Sequence, residues 1–168
     1  MNYIYEKRTI FVFHILCFIL YFVNGCKGLS NKMKKKNNQS YYTNRHSCFL
    51  LSYHLVLVTK YRKPVLKDKI KETVYDTIKT ILEEKGIILI SINGEEDHVH
   101  ILFEASPDIQ LLSLINIIKT KTARFARRDN KELLSKYFYK PYFWTDSYFI
   151  TTVGENTKDI VKTYIDNQ

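Results

Sequence analysis

Apolar and polar positions alternate in the middle of the chain in a way that predicts a β-hairpin. The apolar residues 87–92 are followed by a turn at residues 93–97, and His98 then begins a second extended stretch. Because side chains alternate between the faces of a strand, His98 and His100 are expected to point the same way. Two adjacent imidazoles form half of a metal site, although one buried and one surface histidine is the ordinary alternative.

The segment before the hairpin predicts a strand and a helix. Residues 48–59 are rich in β-branched, aromatic and apolar side chains and are long enough for a central strand. Pro64 then breaks strand pairing. From residue 65 to residue 85, apolar side chains recur about every four positions, which is typical of one helical face. Gly86 is expected to end this helix as a C-cap residue.

The second half of the chain predicts the remaining elements. Ser106 is expected to cap a helix that ends in a basic segment at residues 119–128. A short helical turn is expected at 132–138, a strand at 147–153 and a closing helix at 156–168, capped by Asn156 or Thr157. The order β-α-β-β-α-β plus a terminal helix predicts an α+β, ferredoxin-like or RRM-like antiparallel sheet with both helices on one face. In that arrangement the first and third strands are central.

The N-terminal region is expected to lie outside this fold. Residues 9–23 form an apolar run of signal-peptide length. The interpretation we favour is a reading frame started too far upstream, with Met33 as the true start, so that residues 1–46 are leader and polar lead-in and residues 47–168 are the functional domain. This interpretation predicts a cytoplasmic protein without a membrane partner. A secreted or anchored protein that uses the leader is the alternative.

Composition favours a nucleic-acid partner. The 168 residues include 26 Lys and Arg against 17 Asp and Glu, a net charge of +9, which suits phosphate backbones but also a membrane surface. The three cysteines have no Cys-x-x-Cys spacing, so a disulfide framework or zinc ribbon is not expected. The cations of the segment 119–128 are either solvated partners of the helix dipole or contacts to phosphate.

The closing helix carries the candidate chemistry. Tyr164 and Gln168 are four residues apart and therefore neighbours on one face. If that face meets His98 and His100, two imidazole nitrogens and a neutral oxygen would surround a divalent cation. Such a site suits Mg²⁺ or Mn²⁺ beside a phosphate, with zinc as the rival. Tyr164 would then be a nucleophile, whereas a core-facing aromatic is the ordinary interpretation of a tyrosine on such a helix.

Four stretches in this order resemble the single-tyrosine transposases of the IS200/IS605 insertion-sequence family, members of the His-hydrophobic-His (HUH) endonucleases. They are residues 53–66, 97–102, 143–149 with 152–154, and 161–168. The resemblance implies transposition through single-stranded DNA. It implies that Tyr164 is the nucleophile, leaving a 5′-phosphotyrosine and a free 3′-hydroxyl, and that His98, His100 and Gln168 bind Mg²⁺ or Mn²⁺.

The resemblance also implies partners. Family members are homodimers in which the tyrosine helix of one subunit can complete the active site of the other, and they recognise DNA hairpins. On this basis DNA contacts are expected from eight cations: Lys60, Arg62, Lys63, Lys119, Lys121, Arg124, Arg127 and Arg128. Family proteins usually continue past the glutamine, and the leader is foreign to them. Alternatives are a related HUH enzyme, such as a replication initiator or a host-adapted transposase acting on hairpins, and a catalytically silent nucleic-acid-binding module.

Overall fold

The structure is a computed structural model that describes residues 34–35, 41–43 and 46–168. It divides after Leu50 into two compact units. The described part of the first unit is a small antiparallel sheet of three short strands, β1 (Lys34–Lys35), β2 (Tyr42–Thr43) and β3 (Cys48–Phe49). The rings of Tyr42 and Phe49 stack across paired positions of this sheet, with centroids 5.9 Å apart. The predicted leader at residues 9–23 lies outside the described residues.

The second unit contains a four-stranded antiparallel sheet. Its elements are β4 (Ser52–Val58), a 3-10 turn (Lys60–Arg62), α1 (Asp68–Glu84), β5 (Ile88–Asn93), β6 (His98–Glu104), α2 (Leu111–Asp129), α3 (Lys131–Ser135), β7 (Phe149–Val153) and α4 (Glu155–Asp166). The strand order is β5-β6-β4-β7. This confirms the ferredoxin-like prediction, because β4 and β6, the first and third strands of the motif, are central.

Strand β6 is buried on both faces of the sheet. Leu55 and Leu57 of β4, with Val99, Ile101 and Phe103 of β6, belong to one hydrophobic core that also includes the apolar stripes of α1 and α2. The alternate residues of β6 point to the opposite face, which α4 covers near β5. This second face holds polar side chains, and it is the face on which the predicted histidines lie.

The starts of α1 and α2 differ from the sequence prediction. Helix α1 begins at Asp68 rather than at residue 65, and Gly86 follows its end with a φ of +65°, as predicted for a C-cap glycine. The prediction that Ser106 caps α2 is wrong, because the helix begins at Leu111 with Gln110 at its N-cap. The Ser106 hydroxyl instead donates to Asp108 within the preceding turn.

Both ends of α4, which runs from Glu155 to Asp166 instead of from residue 156 to residue 168, and the first predicted strand also differ from the prediction. Gly154 occupies the N-cap position of α4, and the Thr157 hydroxyl donates to the Gly154 carbonyl at 3.1 Å, so neither Asn156 nor Thr157 is the cap. The predicted strand 48–59 is interrupted at residues 50–51. Among the described residues, no helix is both long and apolar enough to cross a lipid bilayer.

Candidate active site

His98 and His100 lie on the α4 side of central strand β6, as the alternation predicts. Their rings meet edge to face, with centroids 4.9 Å apart. The His98 side chain is 14% exposed, and His100 is 8% exposed. Both residues are held by the strand backbone, with His98 partly exposed and His100 buried.

The His98 ring is oriented by a carboxylate. Its Nδ1 donates to Asp97 Oδ1 at 2.6 Å, and Arg62 Nε donates to the other oxygen of Asp97 at 2.8 Å. Burial acts to raise the pKa of Asp97, but the hydrogen bond from His98 and the charge of Arg62 outweigh it, so this pKa lies below its usual value. Asp97 is therefore ionised at neutral pH, and His98 presents its Nε2 lone pair away from Asp97.

The backbone around Asp97 is held closely. Thr59 donates its N–H to the Asp97 carbonyl at 2.8 Å. Tyr61 and Arg62 have positive φ angles of 59° and 51°, a conformation that costs about 1 kcal/mol or more per non-glycine residue. This turn places Arg62 against Asp97. Gly94 packs so closely on the start of β6 that a Cβ there would lie 2.8 Å from Val99 Cα.

Tyr164 contacts His100 within the same chain. Its ring lies edge-on against His100, with centroids 5.7 Å apart, and Gln168 Nε2 donates to the Tyr164 hydroxyl at 2.7 Å. Tyr164 is 54% exposed, whereas its neighbour Ile165 is fully buried. Ile165 is thus the residue that anchors this turn of α4 on the second face of the sheet, and Tyr164 is accessible to a substrate.

Polar contacts at both ends of α4 fix the helix on the sheet. Near its start, the Lys158 ammonium contacts the Glu104 carboxylate, which is completely buried and also accepts a hydrogen bond from Ser52 Oγ at 3.2 Å. Near its end, Ser91 Oγ donates to Asp166 Oδ1 at 2.5 Å. These contacts, together with Ile165, determine where Tyr164 lies relative to His100.

A third histidine, His54, contacts His100. His54 of β4 is a diagonal neighbour of His100, because His54 pairs with Leu102 while Val56 pairs with His100. The two rings stack with centroids 5.0 Å apart and an interplanar angle of 20°, and His54 Nε2 lies 2.9 Å from His100 Nδ1. Burial lowers the pKa of His54, and burial together with the charges of His54 and His98 lowers the pKa of His100 to about 4.

The side chains at this site offer imidazole nitrogens together with amide and carboxylate oxygens. These donors fit a divalent cation that accepts both nitrogen and oxygen. Gln168 Oε1 is buried and has no hydrogen-bond partner among the described residues. Gln168 also lines a cleft that includes Asp97 and Glu95. Ligand atoms of Glu95, Asp97 and His98 lie within 4.8 Å of one another, but both oxygens of Asp97 are already engaged by His98 and Arg62. Asp97 is therefore better suited to orient a ligand than to be one.

The predicted DNA-contacting cations mostly have partners inside the protein. Lys60 pairs with Asp146 at 2.7 Å, Lys121 with Glu84 at 3.5 Å, Arg128 with Asp129 at 2.6 Å and Arg62 with Asp97. Lys119 donates to the Asp146 carbonyl, and Arg127 donates to the carbonyls of Lys140 and Tyr142. Lys63 and Arg124 are exposed and make no ion pair with any residue that the structure describes.

Three contributors to the site were not predicted from the sequence. Asp97 directly precedes His98, so its proximity could have been noticed. His54 could not be assigned to His100 without the register of β4 against β6. The Lys158–Glu104 contact joins residues 54 positions apart in the chain, and no local sequence pattern predicts that these two residues pair.

The chain is similar over most of its length to known transposases. Residues 47–168 match the family model described as "Transposase IS200 like". The ISDra2 transposase TnpA of Deinococcus radiodurans is 31% identical over 120 residues, covering 71% of this chain and 85% of that protein. The transposase for insertion sequence element IS200 of Salmonella typhimurium is 28% identical over 123 residues, covering 73% of this chain and 80% of that protein.

Solved structures have the same fold. A crystal structure from Deinococcus radiodurans R1, of a protein assigned as a transposase, matches with a TM-score of 0.59 and 29% identity, covering 81% of this chain and 98% of that one. A REP-associated tyrosine transposase bound to a REP hairpin matches with a TM-score of 0.53 and 10% identity, covering 79% of this chain and 70% of that one. The second match concerns the fold alone.

Proposed function

Because this chain belongs to the IS200-like transposase family, we propose that it cuts and rejoins single-stranded DNA at the ends of an insertion sequence through a phosphotyrosine link on Tyr164. The observation that carries the proposal is the position of Tyr164. Its ring is half exposed, lies against His100, and receives a hydrogen bond from Gln168 on its hydroxyl. A tyrosine that only filled the core would be buried, as Ile165 is.

In this mechanism Tyr164 Oη attacks the scissile phosphorus. A bond forms between Oη and phosphorus, the bond from phosphorus to the 3′ oxygen breaks, the phenolic proton leaves to solvent, and the 3′ oxygen takes up a proton. The DNA then carries a free 3′-hydroxyl, and its 5′-phosphate is bonded to Tyr164. Attack of a 3′-hydroxyl on this link reverses the step and rejoins DNA. The hydrogen bond from Gln168 Nε2 orients the phenol.

We assign His98, His100 and Gln168 as the residues that would hold Mg²⁺ or Mn²⁺. The assignment is supported by the orientation of His98, whose Nδ1 is engaged by Asp97, and by the buried Gln168 Oε1 that lacks a partner among the described residues. A bound cation would polarise the scissile phosphate and stabilise charge on the leaving oxygen. Two imidazoles with a neutral oxygen also leave zinc as the competing ion.

Phosphate contacts are assigned first to Lys63 and Arg124. Both are exposed, and neither forms an ion pair with a described residue, so binding DNA would not require breaking an ion pair within the described part of the chain. Lys60, Lys121 and Arg128 must exchange an exposed ion pair for phosphate, which costs little because such pairs contribute about 0–1 kcal/mol. Arg127 is the weakest candidate, since it holds the backbone of the loop at residues 140–142.

The experiment that tests the proposal is formation of a covalent adduct. The protein is incubated with Mg²⁺ or Mn²⁺ and single-stranded, hairpin-bearing oligonucleotides copied from the DNA on either side of its gene, and adducts are separated on denaturing gels. We expect an adduct that is lost in Tyr164→Phe and in chelator. Tyr139→Phe is the matched control, because Tyr139 is 99% exposed. Equal adduct in wild type and Tyr164→Phe would refute the nucleophile assignment.

The same assay tests a homodimer with shared active sites. In this structure the tyrosine helix lies on the sheet of its own chain, so one subunit holds all the proposed groups. A mixture of Tyr164→Phe and His100→Ala subunits regains adduct formation only if the helix of one subunit can complete the site of another. Absence of activity in the mixture, with both variants dimeric by light scattering, would indicate sites that each work within one chain.

A further inference from the structure

The hydrogen bond between His54 and His100 has a direction that matters chemically. Only one proton can lie between His54 Nε2 and His100 Nδ1, which are 2.9 Å apart, so one ring donates and the other accepts. A ring that accepts a hydrogen bond or binds a cation through one of its nitrogens must be neutral, because an imidazolium has no free lone pair. A neutral imidazole carries a single N–H, and the direction of the bond therefore fixes which nitrogen of each ring has a lone pair.

The two directions have opposite consequences for His100. If His54 donates, His100 accepts on Nδ1 and must carry its own proton on Nε2, which removes the lone pair that a cation needs. If His100 donates from Nδ1, its Nε2 keeps a lone pair and can bind a cation. His54 then accepts on Nε2 and carries its proton on Nδ1. Only the second direction agrees with His100 as a ligand.

We propose that His54 is a positioning residue, whose Nε2 accepts the Nδ1 proton of His100 and so holds His100 in the tautomer that can bind a divalent cation. This inference rests on the proposed role of His100 as a ligand. The stacking of the two rings, with an interplanar angle of 20°, leaves little freedom for His100 to turn its Nε2 elsewhere. His54 thus acts through His100 and does not itself contact the cation.

Comparison with His98 explains why the two ligands use different acceptors. Asp97 can only accept, so it fixes the His98 tautomer, and its charge is balanced by Arg62. The Asp97 side chain is 18% exposed, whereas the His100 ring lies deeper in the sheet. A second carboxylate beside His100 would have to be buried without a cationic partner, which is costly. A neutral imidazole accepts the same proton without that penalty.

The direct test is the tautomer of His100 in the metal-free protein. Nitrogen-15 NMR of ring-labelled histidines at pH 7.5 distinguishes protonated from bare nitrogens, and the His100 signals are assigned from the spectrum of His100→Gln. We expect the proton on Nδ1 in both His100 and His54. A proton on His100 Nε2 would overturn the proposal. This measurement needs neither DNA nor activity, so its outcome is independent of whether the protein proves to be a transposase.

A second test uses a matched pair of substitutions at position 54. His54→Gln can place an amide oxygen near the position of Nε2, whereas His54→Leu cannot accept a hydrogen bond. We expect His54→Leu to bind Mn²⁺ about 10–100-fold more weakly, as is typical for loss of such a supporting contact, and His54→Gln to bind nearly as tightly as wild type. Circular dichroism checks the fold of both variants.

Two outcomes would contradict the proposed role of His54. One is equal Mn²⁺ affinity in wild type and a folded His54→Leu variant, and the other is a large loss of affinity in His54→Gln with an unchanged His100 tautomer. If His54→Leu does not fold, the wild-type tautomer and His54→Gln decide the question. His46→Gln, a change at an exposed histidine of the first unit, is the control and is expected to alter neither property.

Discussion

The contribution of the contact between Lys158 and Glu104 to the docking of α4 can be measured as a change in the free energy of unfolding. Glu104 is fully buried, and the Lys158 side chain is 19% exposed. Lys158→Met keeps most of the aliphatic stem but leaves the buried carboxylate without this ammonium group. Removing one partner of a buried pair typically costs about 3–5 kcal/mol. Because Lys158 is partly solvated, we expect the lower end, about 3 kcal/mol of the free energy of unfolding.

The measurement is urea denaturation of four proteins: wild type, Lys158→Met, Glu104→Gln and the double variant. The double variant is expected to recover much of the loss, because the amide introduced by Glu104→Gln would be neutral and could still accept the hydrogen bond from Ser52. Lys162→Met is the matched control, since Lys162 is exposed one turn further along α4, and its effect is expected to stay within about 0.5 kcal/mol.

The result that would refute this reasoning is a Lys158→Met variant less than about 1 kcal/mol below wild type, or a double variant no more stable than the single one. Either result would mean that the pair does not hold the helix. A second readout links stability to chemistry. Since Tyr164 and Lys158 share α4, Lys158→Met is also expected to lower the yield of covalent DNA adduct, whereas Lys162→Met is not.

Three further predictions concern the histidines and the DNA surface. Because burial lowers the pKa of His100 from 6.5 to about 4, the unfolded chain binds a proton in this window that the folded chain does not, so stability should fall as pH falls. As pH falls, the free energy of unfolding of the metal-free wild type, measured by urea denaturation, should decrease more steeply than that of His100→Gln, by up to about 1.4 kcal/mol per pH unit. Equal dependence of this free energy on pH in the two proteins would contradict the prediction. Asp97→Asn should weaken Mn²⁺ binding about 10–100-fold by calorimetry, and unchanged affinity would exclude a role in orienting His98. Arg124→Gln should reduce the slope of the logarithm of the binding constant for single-stranded DNA against the logarithm of the salt concentration by about 0.7, and Arg128→Gln should reduce it by less. Identical slopes in wild type and Arg124→Gln would show that Arg124 does not contact the DNA.

Local patterns in the sequence were sufficient to predict the sheet and the shared face of the histidines. Alternation along β6 requires His98 and His100 to point the same way, and the four-residue spacing brings Gln168 next to Tyr164 although α4 ends at Asp166. Both relations depend only on local backbone geometry. The conformation of Gly86 followed in the same way, because a left-handed residue after a helix is a local feature.

Relations between elements could not be predicted in the same way. The contact of His54 with His100 depends on the register between two strands, and a shift of one residue would turn His54 to the other face. The helix α2 begins later than Ser106 because the turn at residues 106–109 uses that hydroxyl for Asp108. The cations near the end of α2 looked equivalent in the sequence, but folding brings Glu84 to Lys121 and leaves Arg124 exposed.

Tyr164 lies in the last turn of α4 and Gln168 lies two residues past its end, whereas His98 and His100 lie on β6, so the proposed site is assembled from two separate parts of the fold. The proposed nucleophile and the proposed amide ligand are joined by a hydrogen bond at the end of α4, so both would leave the histidines if α4 lifts from the sheet. If Tyr164 is the nucleophile, DNA cutting would be restricted to chains in which α4 lies against the sheet.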